Sequence, residues 1–419
     1  MFSIQLPFLR FCLILIILIA MLSPAAAENP VLIERQQYLS AAGEDAAQWC
    51  RVYYPGAGLT RLEVHRTSAE SDAYLDFKKR LSPDNGKTWG PFEKLPNVVQ
   101  ELPGGGLVTY PRGYFYDPTL GIQYQLIMRR MWPGMPAYTY NWGGEHPFVQ
   151  FSFVTENGIE KQLKYEPGND YDPADPFDTT FCAHNRAYMG TNMAFAEDGT
   201  AYLPIVCYRH GQDYGLSKGG VVLMRRDPVT GTWQPSNQIY IAPELSSRGL
   251  LEPAVTILKN GTILVVCRGS NTSTTPGRKW VTTSTDGGQT LSPIQEFKYH
   301  DGSSFYSPSS IHHFIRSTRN GRLYWITNIV PEPPQGNRPR YPLVMTEIDE
   351  AKIAVRKGSA LIIEDRRENE PERIQFSNFS LLENRETLDF ELYMTRLGEN
   401  ADHPWQAPVF KYVIAVPEK

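Results

Sequence analysis

Ser82-Pro83-Asp84-Asn85-Gly86-Lys87-Thr88-Trp89 returns later in the chain as Ser284-Thr285-Asp286-Gly287-Gly288-Gln289-Thr290-Leu291. Both copies read Ser-x-Asp-x-Gly-x-Thr with an apolar eighth residue. That spacing specifies a hairpin closure. The Ser and Asp side chains reach nearby backbone N–H groups, Gly allows a positive φ, and the eighth residue plugs the sheet beneath. Turns rich in Asp and Gly are common, so one copy is weak evidence. Two copies at matching offsets imply repeated β-units.

A second periodicity leads to the same architecture. Asp198-Gly199-Thr200, Asn260-Gly261-Thr262 and Asn320-Gly321-Arg322 each precede an apolar run, and their glycines stand 62 and 60 residues apart. Asn384-Arg385-Glu386 falls where the next turn is due, and Asp227-Pro228-Val229-Thr230-Gly231-Thr232-Trp233 is a degenerate copy of the longer motif. A turn and strand at this interval read as one four-stranded blade per repeat. A β-sandwich would also show short strands and frequent turns, but the repeat spacing favours a propeller. The Ser-x-Asp-x-Gly-x-Thr turn is the Asp-box, and the chain resembles the sialidase (neuraminidase) superfamily, whose Asp-box proteins are β-propellers. The expected fold is all-β, a six-bladed β-propeller.

Arg10 precedes an apolar run from Phe11 to Leu22, and Ala25-Ala26-Ala27 offers small residues for cleavage before Glu28. The run is short for a membrane span, so residues 1–27 read as a secretory signal peptide, with an uncleaved anchor as the competing reading. Cys12 lies inside the run, which speaks against a lipoprotein anchor. The expected mature chain, residues 28–419, is one domain in a secreted or periplasmic protein with no further membrane span. Its 392 residues accommodate six blades and bury ample apolar surface without disulfides. Cys50, Cys182, Cys207 and Cys267 show no CxxC and no dense framework, which leaves bridges and buried thiols both open.

A formal charge of −4 with no Lys/Arg-rich run gives no basic face for nucleic acid. The eight histidines are scattered, without HExxH or a Cys/His cluster, so no metal and no other cofactor is expected. His312 and His313 are neighbours, and on a strand they would face opposite ways. The loop Asn169-Asp170-Tyr171-Asp172-Pro173-Ala174-Asp175 has carboxylates enough for Ca²⁺, although acidic Pro-containing loops are more often simply solvated.

The strongest functional stretch is Glu252-Pro253-Ala254-Val255, the Asn260-Gly261 turn, and Val265-Val266-Cys267-Arg268. As a hairpin it brings Glu252 and Arg268 to the same end of adjacent strands. Inner strands of a propeller end at the central funnel, so a carboxylate and a guanidinium would stand side by side at its mouth. A plain cross-strand ion pair would leave the same residues there. The sialidase resemblance implies more. In that superfamily the Glu polarises a tyrosine nucleophile, and the Arg belongs to a triad that grips a sugar carboxylate. In the next blade, Tyr306-Ser307-Pro308-Ser309-Ser310-Ile311 and Tyr324-Trp325-Ile326-Thr327-Asn328 lead into Gly336-Asn337-Arg338-Pro339-Arg340, and the resemblance matches Arg340 to another triad arginine. Arginine suits this role because its planar fork binds a carboxylate bidentately and keeps its charge.

The first blade has no Arg-Ile-Pro segment of the sialidase kind. Arg51 and Arg66 are the candidates for the remaining arginine, with Arg66 the provisional choice for substrate binding. Asp72 is the candidate acid/base, with Asp76 its competitor. Where the family places its nucleophilic tyrosine, this chain reads Gln375-Phe376-Ser377-Asn378-Phe379. Phe376 cannot attack an anomeric carbon. Either the phenol comes from elsewhere (Tyr306 or Tyr324), or a water-mediated inverting route with two carboxylates replaces it. The expectation is a secreted glycoside hydrolase of the sialidase kind acting on an acidic glycan, one containing sialic acid or a uronate. A uronate polysaccharide lyase and a non-catalytic glycan-binding propeller are the rival readings, because a propeller by itself decides no function.

Overall fold

Asn260 shows how each repeat folds. Its Oδ1 accepts a hydrogen bond from the Thr262 N–H at 3.0 Å, and Gly261 takes a φ of +81° that a side chain would resist. The turn joins the strands Leu251–Ile257 and Ile263–Arg268. Asp198 and Asn320 close equivalent hairpins by accepting from Thr200 and Arg322 at 2.8 and 2.9 Å. Asn384 accepts from Glu386 at 2.9 Å ahead of the strand Phe390–Thr395.

The two longer motifs form a matching pair of turns further out in their sheets. Ser82 Oγ donates to Asp84 at 2.8 Å and accepts from the Gly86 N–H at 2.8 Å, and Asp84 takes the Thr88 N–H at 2.8 Å and hydroxyl at 2.6 Å. Ser284, Asp286, Gly288 and Thr290 repeat the same four bonds at 2.8, 2.9, 3.0 and 2.6 Å. Both turns join the third strand of a sheet to its short fourth strand, at the edge away from the axis.

The computed structural model describes residues 29–419 except 44–45, 97, 141–147 and 210–217. The expected signal peptide lies outside the described residues. These residues form six antiparallel sheets. Blade I is Ala47–Tyr53, Arg61–Glu70, Ala73–Ser82 and Glu93–Lys94. Blade II is Val99–Leu102, Gly105–Asp117, Ile122–Pro133, Val149–Glu156 and Ile159–Gln162. Blade III is Ala187–Met189 with Ala194–Phe195, then Ala201–Cys207, Gly220–Arg226 and Trp233–Pro235. Blade IV adds Lys279–Ser284 and Gln295–Glu296 to the hairpin already described. Blade V is His313–Arg316, Leu323–Asn328 and Leu343–Asp349, edged by Ala354–Val355 and Leu361–Glu364. Blade VI is Phe379–Glu383, Phe390–Thr395 and Val409–Ala415, and its fourth strand is Val31–Leu39 from the other end of the chain.

A separate hydrophobic core fills each of the six gaps between neighbouring blades. Phe77 with Val108 and Met128 lies between I and II, and Leu126 with Ile205 and Val222 between II and III. Val221 meets Val265, Leu264 meets Trp325, and Ile326 meets Leu392 and Ile414. Cys50 and Val52 pack on Leu382 and Tyr393, which returns the series from blade VI to blade I. The ring is therefore closed. Cys50, Cys182, Cys207 and Cys267 are all buried, and none of them forms a disulfide. One short helix, Thr179–Ala183, is present among the described residues, and none there is long and apolar enough to cross a membrane.

Candidate active site

The inner strands touch one another around the axis. Ala47–Tyr53 meets Phe379–Glu383 and Gly105–Asp117, while Leu251–Ile257 meets Ala187–Met189 and His313–Arg316. This ring of strand contacts collects Arg51, Arg112, Tyr188, Glu252 and His313 from five blades.

Glu252 sits where the register slips between Leu251 and Ala254. Its φ is +38°, a left-handed conformation that costs a residue with a side chain on the order of 1 kcal/mol or more. A bulge of this kind re-aims a side chain, and here the buried carboxylate is turned onto the Arg268 guanidinium. Tyr188 donates its hydroxyl to the other carboxylate oxygen at 3.0 Å, and Arg112 Nη2 donates to the Tyr188 oxygen at 2.8 Å. Burial alone would raise the Glu252 pKa. The charge and hydrogen bond of Arg268, with Arg112 and Tyr188, outweigh it and hold the carboxyl at about 2. Burial pushes the Tyr188 phenol above its ordinary value.

Three arginines converge on Ser309. Arg268 Nε and Arg248 Nη2 donate to its Oγ at 2.6 and 3.1 Å, and Arg340 Nη2 donates to its carbonyl at 2.7 Å. Arg340 is further fixed by Gln375 Oε1 at 2.8 Å and Ser377 Oγ at 3.4 Å. Among the described residues, Glu252 is the one carboxylate bonded to any of the three, so the cluster carries excess positive charge. Burial and the neighbouring Arg268 charge pull Arg340 down to about 9 and Arg248 to about 10, which leaves both charged at neutral pH. Such a cluster favours an anion.

Asp72 occupies the two-residue turn between Glu70 and Ala73. Its carbonyl accepts from Arg130 Nη1 at 3.1 Å and Tyr140 Oη at 3.0 Å, and its carboxylate is half-exposed 3.9 Å from Arg130. The charge of Asp72 acts on Tyr188, Arg248 and Arg340. Asp76, in contrast, is an exposed partner of Lys78 at 3.3 Å. Glu252 is bonded to Arg268, and Arg268 and Arg340 meet on Ser309 to line one cleft, whereas Asp72 is bonded to none of the three. Arg66 is buried in a different recess beside Arg51, with its guanidinium 3.8 Å from the centre of the Tyr74 ring.

Phe376 is a core residue, packed with Ile326, Leu392 and Ile414 between blades V and VI. Its neighbours Gln375 and Ser377 turn instead to Arg340. Tyr324 is also buried in that core, and Tyr306 lies under the Arg278 guanidinium, so neither phenol meets Glu252. The phenol that does is Tyr188, which sequence reasoning passed over together with Arg112 and Arg248. One signal was available. Tyr188 precedes the Asp198-Gly199 turn much as Glu252 precedes Asn260-Gly261.

His313 faces Arg51, Arg112 and Glu252, and burial with the two arginines lowers its pKa to about 3. His312 is buried on the opposite side, accepting from Trp325 Nε1 at 3.0 Å. Cys50, Glu63 and His65 bring ligand atoms within 4.8 Å of one another, but Glu63 is already engaged by Arg80, His65 and Tyr38. The Arg80 cation occupies the charge that a metal would need. In the acidic loop, Asp170 pairs with Lys164 and Asp172 caps the Ala174 N–H, while Asp178 beyond it caps the helix Thr179–Ala183.

No family model and no curated protein matches the chain by sequence. Solved structures match by fold. A Dyadobacter fermentans protein of unknown function aligns with TM-score 0.56 and 14% identity over 93% of this chain and 98% of its own. The NanB sialidase of Streptococcus pneumoniae aligns with TM-score 0.55 and 12% identity over 92% and 70%. A Fusarium graminearum GH93 α-L-arabinofuranosidase aligns with TM-score 0.50 and 12% identity over 93% and 98%. At this identity the likeness establishes the six-bladed propeller.

Proposed function

We propose that the chain is a glycoside hydrolase whose substrate is a glycan bearing a carboxylate, such as a sialoside or uronide. The observation that carries this reading is the Tyr188 hydroxyl donating to Glu252 at 3.0 Å beside the arginines on Ser309. Arg248, Arg268 and Arg340 bind the sugar carboxylate. Glu252, ionised across the working pH range, takes the Tyr188 proton as the phenol oxygen attacks the anomeric carbon. Asp72 delivers a proton to the departing glycosidic oxygen. Water then attacks the glycosyl–tyrosine, giving its proton to Asp72, while Glu252 returns the phenol proton. Two displacements retain the anomeric configuration. The sialidase and the arabinofuranosidase that share the fold support a glycosidase reading, and the signal-like N-terminus supports export.

Tyr188→Phe tests the assignment, because it keeps the ring and removes only the oxygen. Chromogenic sialosides and uronides should lose about 10²-fold or more of their turnover, with binding retained. A fluorinated glycosyl fluoride should leave its adduct on Tyr188, read by peptide mass spectrometry. Full activity in the Phe variant would sink the covalent route. Unsaturated products absorbing in the ultraviolet would replace hydrolysis with β-elimination, and binding without turnover would leave a lectin.

A further inference from the structure

Beside the cleft, Trp49, Arg51, Tyr53, Arg66, Phe77 and Tyr114 line a recess between blades I and II. Its charge is unusual. Arg66 is 7% exposed, yet among the described residues it makes no hydrogen bond and no ion pair; its one partner is the face of Tyr74. Three other buried arginines are answered, Arg61 by Glu391, Arg226 by Glu156 and Arg396 by Glu364. Arg51 and Arg112, which also lack a carboxylate partner among the described residues, repel Arg66. A buried guanidinium left unpaired is costly, and an incoming oxyanion relieves that cost. The remaining walls are apolar, Val64 and Pro111 beside the rings of Tyr53 and Tyr114, whose centres are 5.5 Å apart.

The recess adjoins the reacting groups through a single residue. Arg51 Nη1 and Tyr53 Oη donate to the Arg112 carbonyl at 2.6 and 3.3 Å, and the Arg112 side chain holds Tyr188. We propose that the recess is a second anion subsite, taking a carboxylate or sulfate on a sugar neighbouring the one held at Ser309, so that the ligand is a polyanionic glycan. The glycan half of this proposal rests on the function proposed above, whereas the anion subsite stands on the recess alone.

Two experiments separate these halves. Crystals soaked in selenate should show anomalous density beside Arg66, lost in Arg66→Gln. The same variant should melt at a higher temperature than wild type without ligand, since it removes an unpaired buried charge, and this confirms that it folds. By calorimetry, wild type should bind a diuronate or a sulfated uronate disaccharide roughly tenfold or more tightly than the matching monoanionic disaccharide, and Arg66→Gln should reduce that ratio to about one. Which dianion gains more identifies the group. An empty recess with an unchanged ratio in Arg66→Gln overturns the subsite. Selenate bound at Arg66 with no affinity for any acidic glycan keeps the subsite and overturns the glycan reading.

Discussion

Glu252 carries two separable consequences. Its carboxyl, held at about 2 by Arg268 against the opposing effect of burial, stays ionised through the range in which a hydrolase works. Glu252 is therefore the base and not the proton donor, and Asp72 is the group in place to donate. Asp72→Asn should cost roughly 10²-fold or more with a poor leaving group, and much less with a good one. If good and poor leaving groups lose equally in Asp72→Asn, Asp72 is not the acid. The stability consequence follows from the same shift. A folded value below the ordinary 4.5 stabilises above 4.5 and loses that contribution as pH falls toward 2. Glu252→Gln should thus be destabilised at pH 7, and its deficit against wild type should shrink in urea melts below about pH 4.5. Glu252 and Arg268 were legible because one Asn-Gly hairpin sets both, and Arg340 because it follows the same unit in the next blade. Tyr188 was not, because its partner lies 64 residues away on another blade and the triplet Ala187-Tyr188-Met189 is too short to show a period. Phe376 proved to be a core side chain between blades V and VI, and a short stretch ahead of the strand Phe379–Glu383 carries no period that would show which way it faces.

The turns do more than end strands. Asn85, at a variable position of the Ser82–Trp89 turn, donates to Asn384 and Glu386 at 2.8 Å each and accepts from Arg61 at 2.9 Å. The outer turn of blade I is thereby tied to the first hairpin of blade VI. Arg61, itself 1% exposed, then forks onto Glu391 at 2.7 and 3.2 Å. Removing one member of such a buried pair strands the other charge, so Arg61→Ala or Glu391→Ala should cost about 3–5 kcal/mol in urea unfolding. Arg61→Met with Glu391→Leu should recover most of that loss, because two apolar side chains of similar size leave no stranded charge. If each single change costs under about 1 kcal/mol, the pair is in effect solvated. The hairpin turns themselves were readable because Asn-Gly and Asp-Gly fix φ locally. The ties between blades were not, since they join residues some 300 positions apart, such as Asn85 and Asn384, and leave no mark on either segment.

At the scale of the molecule, a repeat near 60 residues predicts six blades, but it does not say how the ring closes. The last sheet draws three strands from the C-terminal end and its fourth, Val31–Leu39, from the N-terminal end. No turn announces that strand, because it is joined to its sheet by register alone, from Val31 opposite Ala415 to Leu39 opposite Val409. Arg35 reinforces the closure, pairing with Glu364 of blade V at 2.6 Å and lying 4.5 Å over the Phe410 ring. Removing residues 29–40 would uncover the backbone edge of Val409–Ala415 together with Phe410, leaving an unpaired strand of the kind that recruits other chains. The truncated protein should melt at a lower temperature in a broader transition and associate on gel filtration. A synthetic peptide covering Val31–Leu39 should restore the sharp melt by refilling the edge. The cleft gives a second readout, since its groups come from five blades and an opened ring moves them relative to one another, so turnover should fall with the melting temperature and return with the peptide. An unchanged melt after truncation would mean that the six inter-blade cores close the ring without the strand.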